Sequence, residues 1–236
     1  FVLRGPWNPE EIESIDFVSN YELKGLKNHY HTYGLGVPLI LLRKAPPSQR
    51  PSDRFYPPSL SFPATAFVHV MPGAASSTTP SSVLHCRLEI VDPLATTDLI
   101  VRERRVPLET DLSIPLAHCL DQPAMREKEL ATTGLINPAA AEPAKGLYMM
   151  EPFDPQKIPV VMVHGLWSSP MTWMEMYNDL RALPEIRERY QFWFYLYPTG
   201  QPFWISAAQF RADLANALDT LDAREQYPAL RKMVLV

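Results

Sequence analysis

Four residues that follow an apolar run, His164, Gly165, Leu166 and Trp167, are the strongest candidates for chemistry in this chain. The run, residues 160–163, has no polar side chain, which is typical of a buried strand. A tight turn after such a strand presents backbone N–H groups, which either cradle phosphates or stabilise the oxyanion formed during acyl transfer. Binding of a dinucleotide would require Gly-x-Gly-x-x-Gly at this point. Because the turn has a single glycine, the sequence favours the oxyanion role.

The serines near this turn do not have the surroundings of a nucleophile. Ser168 and Ser169 precede a helical pattern, so capping of the helix is their expected role. Ser206 is followed three residues later by Gln209, which is the pattern of a capping box at the start of a second helix. The sequence contains no Gly-x-Ser-x-Gly, the motif that builds a nucleophile elbow.

The histidine pair and the cysteines give weaker signals. His29 and His31 lie two residues apart, which would place both on one side of a strand. The sequence shows no third metal ligand near them, so the pair does not predict a metal site, and we expect no metal or organic cofactor. Cys86 and Cys119 could form one disulfide in an exported protein or remain as two buried thiols, and both alternatives stay open.

Strand and helix patterns alternate from residue 146 to the end of the chain. The first helical stripe consists of Trp173, Met176, Tyr177 and Leu180. The aromatic run at residues 192–197 favours a strand, a second helical stripe begins near Ser206, and residues 233–236 begin another strand. This order predicts parallel strands joined by helical crossovers, which is a three-layer α/β sheet.

The first 145 residues have a different pattern. Most of the 25 prolines fall there, and they separate short segments that are typical of half-buried antiparallel strands. These segments are residues 66–71, 83–91 and 99–106. We therefore predict a β-rich, proline-rich N-terminal region or domain at residues 1–145 and the first part of an α/β domain at residues 146–236.

The turn and the elements after it resemble the front half of an α/β-hydrolase, in the lipase/esterase branch with a His-Gly-Leu oxyanion loop. The resemblance covers residues 147–236 and implies an α/β-hydrolase-type three-layer parallel sheet, preceded in this chain by the β-rich region. It implies that the backbone N–H of Leu166 is one oxyanion donor, with Gly165 and His164 supporting the loop. By the same resemblance Trp167 is a candidate for substrate binding.

The resemblance also implies where the remaining catalytic groups lie. The nucleophile of such enzymes sits in Gly-x-Ser-x-Gly after the strand that residues 233–236 resemble, and the acid and the histidine follow it. We therefore expect the nucleophile just beyond Val236, so that the 236-residue chain would be an inactive fragment.

The expected function is hydrolysis of carboxylic esters, lipids among them, by a serine hydrolase that forms an acyl-enzyme. A non-catalytic binding protein with an α/β-hydrolase fold and an acyltransferase on the same scaffold are the alternatives. A net charge of −4 without a basic patch argues against nucleic acid as a partner, and no apolar run is long enough to span a bilayer. Because the chain begins with Phe1, a missing N-terminal segment leaves export, membrane association and a cytoplasmic location open, and no oligomeric state is predicted.

Overall fold

The computed structural model describes residues 2–44, 50–57, 60–71, 85–122, 145–222 and 225–236. The strands of these ranges are β1 (Val2–Arg4), β2 (Ile12–Phe17), β3 (His31–Thr32), β4 (Val37–Arg43), β5 (Ser61–Met71), β6 (His85–Val91), β7 (Asp98–Val101), β8 (Arg104–Pro107), β9 (Thr110–Asp111), β10 (Gly146–Met149), β11 (Ile158–Val163), β12 (Tyr190–Leu196) and β13 (Val234–Leu235). The α-helices are α1 (Ser113–Leu120), α2 (Met174–Ala182), α3 (Pro184–Arg187) and α4 (Phe203–Leu221). Short 3-10 helices lie at Pro9–Glu11, Val18–Asn20, Pro51–Phe55, Pro170–Trp173 and Leu230–Lys232.

The N-terminal half of the chain is built around a mixed sheet of five strands in the order β1-β6-β5-β4-β2. Its neighbours pair antiparallel except β1 and β6, which run parallel. Two smaller pairs, β3 with β9 and β7 with β8, complete the described strands of this half, and α1 follows β9 directly.

Two details of this half differ from the sequence-based expectation. Residues 99–106 are not one strand but the hairpin of β7 and β8, because Arg102 and Glu103 adopt positive φ angles of 47° and 65° and reverse the chain. The inward alternation expected along residues 83–91 is also wrong in its first part. Cys86 is exposed, whereas Glu89 is buried because Arg4 of the neighbouring strand β1 pairs with its carboxylate. Leu84 lies outside the described residues.

The cysteines are both free in the structure. Cys119 is buried in α1, where burial raises the pKa of its thiol to about 12, whereas Cys86 is exposed on β6. Of the two alternatives left open by the sequence, the buried thiol therefore describes Cys119 but not Cys86.

The second sheet has four strands in the order β10-β12-β11-β13. Strands β11, β12 and β13 are mutually parallel, while β10 is antiparallel to β12 at one edge. Helices cover both faces of β12, because Phe192 and Phe194 contact Tyr177 of α2, whereas Tyr195, which alternates to the other face of the strand, contacts Phe210 of α4. This part of the chain is therefore a three-layer arrangement with a mixed sheet in the middle.

The first residue of α4 and the buried face of α2 differ from those that the sequence pattern predicts. The capping box at Ser206 is wrong, because α4 begins at Phe203 after Pro202, and Ser206 lies inside the helix, where its buried hydroxyl has no hydrogen-bond partner among the described residues. In α2 the buried side chains are Met174, Tyr177, Asn178 and Arg181. None of the helices in the described ranges combines the length and apolar character needed to cross a lipid bilayer.

The buried polar face of α2 holds the two halves of the chain together. Arg181 donates to the backbone carbonyl of Leu112, and its guanidinium also lies 3.4 Å from Glu151. Asn178 donates to the carbonyl of Asn28 and accepts from the hydroxyl of Ser113. These polar residues are buried in the helix because their partners lie in the N-terminal half, a relation that a helical hydrophobicity pattern does not contain.

The apolar core is shared in the same way. A single hydrophobic cluster includes Leu41 and Phe62 of the first sheet together with Val161 and Trp193 of the second. Cys119 of α1 belongs to the same cluster. The two sheets are thus stabilised by common buried contacts.

Candidate functional site

The turn at His164–Trp167 lies at the carboxyl end of β11, a central strand of the second sheet. The chain leaves β11 through α2 and returns as β12 on one side, then passes through α4 and returns as β13 on the other side. The direction of strand addition therefore reverses beside β11. In open α/β sheets such a reversal leaves a crevice at the carboxyl ends of the strands, where ligands bind.

His164 is buried and holds this turn against the end of β12. Its Nε2 accepts a hydrogen bond from the backbone N–H of Tyr197 at 3.3 Å, so the ring proton is assigned to Nδ1, which lies 3.0 Å from the carbonyl of Gly165. The hydroxyl of Tyr197 in turn donates to the carbonyl of His164 at 2.9 Å, and the two rings stack with centroids 4.5 Å apart. Burial lowers the pKa of His164, which favours this neutral form. Both ring nitrogens are engaged, one by Gly165 of the turn and one by Tyr197 just after β12, so His164 holds the backbone of these two segments together.

Leu166 presents a backbone N–H that donates no hydrogen bond within the described part of the chain. The next residue, Trp167, has a φ of 53°, in the left-handed region that non-glycine residues seldom occupy. The N–H of Trp167 donates to the hydroxyl of Thr199 at 3.3 Å, and Thr199 is itself buried. Thr199 therefore fixes the turn just after the Leu166 N–H, leaving that donor available for a ligand.

Gly165 has a different role from the one that its residue type suggests. Its φ lies outside the positive range, and the strained residue of the turn is Trp167. A Cβ atom placed on Gly165 would meet no atom within 4 Å. The glycine is therefore not required for the turn conformation, but it leaves open space beside the Leu166 N–H.

The side chains around the turn are apolar and exposed to solvent. Leu166 is 75% exposed and Trp167 66% exposed. Phe203 and Trp204, whose rings contact each other, are exposed at the start of α4, which begins shortly after the carboxyl end of β12. These four side chains therefore lie at the same edge of the sheet as the proposed oxyanion donor.

The serines beside the turn contribute to local structure. The hydroxyl of Ser169 accepts from the backbone N–H of Met171 at the start of the 3-10 helix that precedes α2, as a capping residue does. Ser168 donates to the carbonyl of Ser169 at 3.4 Å. Neither hydroxyl bonds to His164 within the described residues, so no serine–histidine pair forms at this turn.

Two residues of the site, Tyr197 and Thr199, are not identified individually by the sequence. Their segment attracts attention only because it follows the carboxyl end of a predicted strand and carries aromatic residues. Their hydrogen bonds to the turn depend on the pairing of β11 with β12, which brings residues more than thirty positions apart together.

A second cluster of potential ligands lies elsewhere in the fold. Atoms of His29, His31 and Asp111 lie within 4.8 Å of one another, the one such group able to hold a metal ion among the residues described. Asp111 is the third ligand that the sequence pattern of the two histidines lacks. It is 80 residues away from His31 in the chain and is brought beside it by the pairing of β3 with β9.

Comparison with known proteins found no matching family model, no matching curated protein and no matching solved structure.

Proposed function

We propose that this protein is a serine hydrolase of the α/β-hydrolase type that cleaves carboxylic esters through an acyl-enzyme. The observation that carries the proposal is the N–H of Leu166, which is unpaired among the described residues and is held at the carboxyl end of β11 beside the point where the strand order reverses. A donor at this place is suited to a carbonyl oxygen that becomes negatively charged.

The rigidity of the turn supports this role. An oxyanion donor is effective when it is oriented before the reaction, because no reorganisation is then needed as charge develops. Here Tyr197 and Thr199 hold the residues on either side of Leu166 by hydrogen bonds to His164 and Trp167. A single preorganised donor of this kind is worth roughly 3–4 kcal/mol of transition-state stabilisation.

The proposal places the nucleophile on the turn that would follow β13. Val236 continues the pairing of that strand, since its N–H donates to the carbonyl of Val161 and its carbonyl accepts from Val163. In the proposed reaction a serine of a Gly-x-Ser-x-Gly elbow beyond Val236 attacks the ester carbonyl while a histidine takes its proton. The alcohol leaves with that proton, and water then releases the acid from the acyl-enzyme.

The exposed side chains suggest an apolar acyl group. Leu166 and Trp167 lie beside the donor, and Phe203 and Trp204 lie at the same edge of the sheet. Exposed aromatic and aliphatic side chains at one site favour contact with an apolar ligand. We therefore propose esters with an acyl chain, lipid esters included, as the substrate class.

The test removes the N–H donor of Leu166 and keeps an apolar residue at that position. In the full-length protein, Leu166→Pro eliminates the N–H, and Gly165 before it tolerates the extended backbone that proline requires. We expect kcat for p-nitrophenyl acyl esters to fall about 10²- to 10³-fold in this variant. The matched control, Leu166→Ala, keeps the N–H and is expected to remain within a few-fold of the parent.

Labelling by a fluorophosphonate probe separates the alternative functions. Covalent labelling of the folded full-length protein supports a reactive serine, and its complete absence would contradict the hydrolase and favour a binding protein. Acyl transfer to an added alcohol faster than hydrolysis would favour the acyltransferase. Equal kcat values in Leu166→Pro and Leu166→Ala, with both variants folded, would contradict the role of the Leu166 N–H.

A further inference from the structure

We propose that His29, His31 and Asp111 bind a divalent transition-metal ion such as Zn²⁺, at a site separate from the proposed ester-cleaving site. Two imidazoles and one carboxylate are a common ligand set for Zn²⁺ and for other first-row metals, with further positions left to water or a ligand.

The backbone brings these three residues together. Strand β3 pairs antiparallel with β9 so that His31 is directly opposite Asp111. The preceding residue, Tyr30, accepts a hydrogen bond from the N–H of Leu112 through its carbonyl and donates its own N–H to the hydroxyl of Ser113. His29 therefore lies two residues before His31 and is joined to it by Tyr30, which extends the contacts of β3 to the segment after β9.

The distances suit a single ion. Nε2 of His29 lies 2.5 Å from Oδ2 of Asp111, and Nδ1 of His31 lies 3.6 Å from the same oxygen. With metal–ligand bonds of about 2.0–2.1 Å, neighbouring ligand atoms of a tetrahedral site lie roughly 3.3–3.4 Å apart. The separation at His31 is already close to this spacing. Nε2 of His29 must move away from Oδ2 by less than about 1 Å to reach it, and the side chain can do so because it is 41% exposed.

Outer contacts orient two of the three ligands. The other carboxylate oxygen of Asp111, Oδ1, accepts from the backbone N–H groups of Ser113 and Ile114 at 3.0 and 2.8 Å. This directs Oδ2 toward the histidines. In the ranges that the structure describes, Nε2 of His31 is buried without a hydrogen-bond partner and lies 3.4 Å from Oε1 of Glu109. A carboxylate behind the second nitrogen of a metal-binding histidine is a recurrent arrangement that raises its basicity and fixes its ring.

A cleft gives an ion access to these ligands. Its volume is about 260 Å³, and its lining includes His29, His31, Thr97, Thr110 and Arg187. The carboxylate of Asp111 is buried, whereas both histidines are partly exposed to the cleft. An ion bound here would keep an open side for water or a small ligand.

The cleft is remote from the proposed oxyanion turn. Helix α2 starts after the carboxyl end of β11 and its nine residues run about 13 Å toward the amino end of β12. Ala182, Pro184 and Arg187, which line the cleft, follow the end of that run. The two proposed sites therefore lie at opposite ends of the parallel strands of the second sheet, and each proposal can fail without the other.

The experiment is a metal titration of the full-length protein after dialysis against a chelator. A Cys86→Ser background removes the exposed thiol as a competing ligand. Calorimetry with Zn²⁺ and absorption spectroscopy with Co²⁺ should both give one ion per chain. We expect His29→Gln and His31→Gln each to weaken binding more than about 100-fold, and Glu109→Gln, which changes no direct ligand, to weaken it about 10–100-fold. The control His85→Gln alters an exposed histidine outside the cluster and should leave the affinity unchanged.

Three results would overturn the proposal. The first is saturable binding with the same affinity in the parent and in His31→Gln, and the second is an equal loss of affinity in His31→Gln and His85→Gln. The third is no binding of Zn²⁺ or Co²⁺ at 1 mM, which corresponds to a binding free energy weaker than about −4 kcal/mol. If the histidine variants do not fold, Glu109→Gln and the thermal midpoint of the parent decide the question. Bound metal must raise that midpoint because it binds the folded state, and Glu109→Gln must need about 10–100-fold more Zn²⁺ for the same rise.

Discussion

Asp92 provides a test of how this fold responds to pH. It follows β6 and is 7% exposed, and its Oδ1 accepts from the backbone N–H of Leu94 at 2.9 Å. Burial raises the pKa of this carboxyl from 3.8 to about 6, against the lowering effect of the Leu94 N–H. The nearby carboxylate of Glu151 raises it further, while Lys157 and Arg187 lower it.

The sign of the effect follows from the two states of the chain. The folded protein holds the Asp92 proton more tightly than the unfolded chain, so the favourable contribution is complete below pH 3.8 and is lost as pH rises through about 6. The difference between these two pKa values corresponds to roughly 3 kcal/mol of unfolding free energy at neutral pH. Asp92→Asn keeps an acceptor for Leu94 and never ionises. The variant should therefore be more stable than the parent at pH 7 and above by up to about 3 kcal/mol, and nearly equal to it below pH 4.

The assay is urea denaturation of the parent and of Asp92→Asn at half-unit intervals from pH 4 to 8. The quantity of interest is the difference between the two unfolding free energies at each pH, because contributions of all other titrating groups, His164 among them, cancel in it. A difference that grows between pH 4 and 7 agrees with the reasoning. A constant difference across this range, or a variant that loses stability as pH rises relative to the parent, would refute it.

Two further substitutions, each with a control, test the contacts between the two halves of the chain and the His164–Trp167 turn. Arg181→Met should lower the unfolding free energy by about 3–5 kcal/mol in denaturant titrations, because it leaves the partly buried carboxylate of Glu151 without its cation. The control Arg189→Met replaces an exposed arginine and should change the unfolding free energy by less than about 0.5 kcal/mol. Equal effects of the two substitutions would contradict a structural role for the buried pair. Gly165→Ala should leave thermal stability unchanged but reduce ester hydrolysis, since its Cβ enters open space beside the turn. The comparison variant Gly36→Ala should lower the unfolding free energy by about 1–3 kcal/mol, because Gly36 has a φ of 107° and a Cβ there would lie 2.6 Å from Thr65. A loss of stability in Gly165→Ala as large as that of Gly36→Ala would contradict the turn geometry.

Local patterns were sufficient for the elements around the turn but not for their partners. The apolar run of β11 and the aromatic run of β12 are recognisable as strands in the sequence, because strands that are covered on both faces need no polar face and read as continuous apolar segments. The faces of α2 were not predictable in the same way. Asn178 and Arg181 are polar by type, yet both are buried because Leu112 and Asn28 lie against the helix.

The candidate sites divide along the same line. The His-Gly-Leu turn is contiguous in sequence and is identified from its residues alone, although the strained φ of Trp167 and the bond to Thr199 require the three-dimensional structure. The histidine cluster depends on a carboxylate 80 residues further along the chain, and only strand pairing brings that group to His31. Sequence spacing detects ligands on one element and does not detect one supplied by another.

The shared core has a consequence for synthesis of the protein. Leu41 and Val161 are fully buried in one cluster, but 120 residues separate them in the chain. At about 5–20 residues per second, a ribosome adds Val161 roughly 6–24 s after Leu41. During that interval the inner face of the first sheet emerges without the strands that will cover it. The nascent N-terminal half therefore exposes apolar surface until the strands of the second sheet have been synthesised.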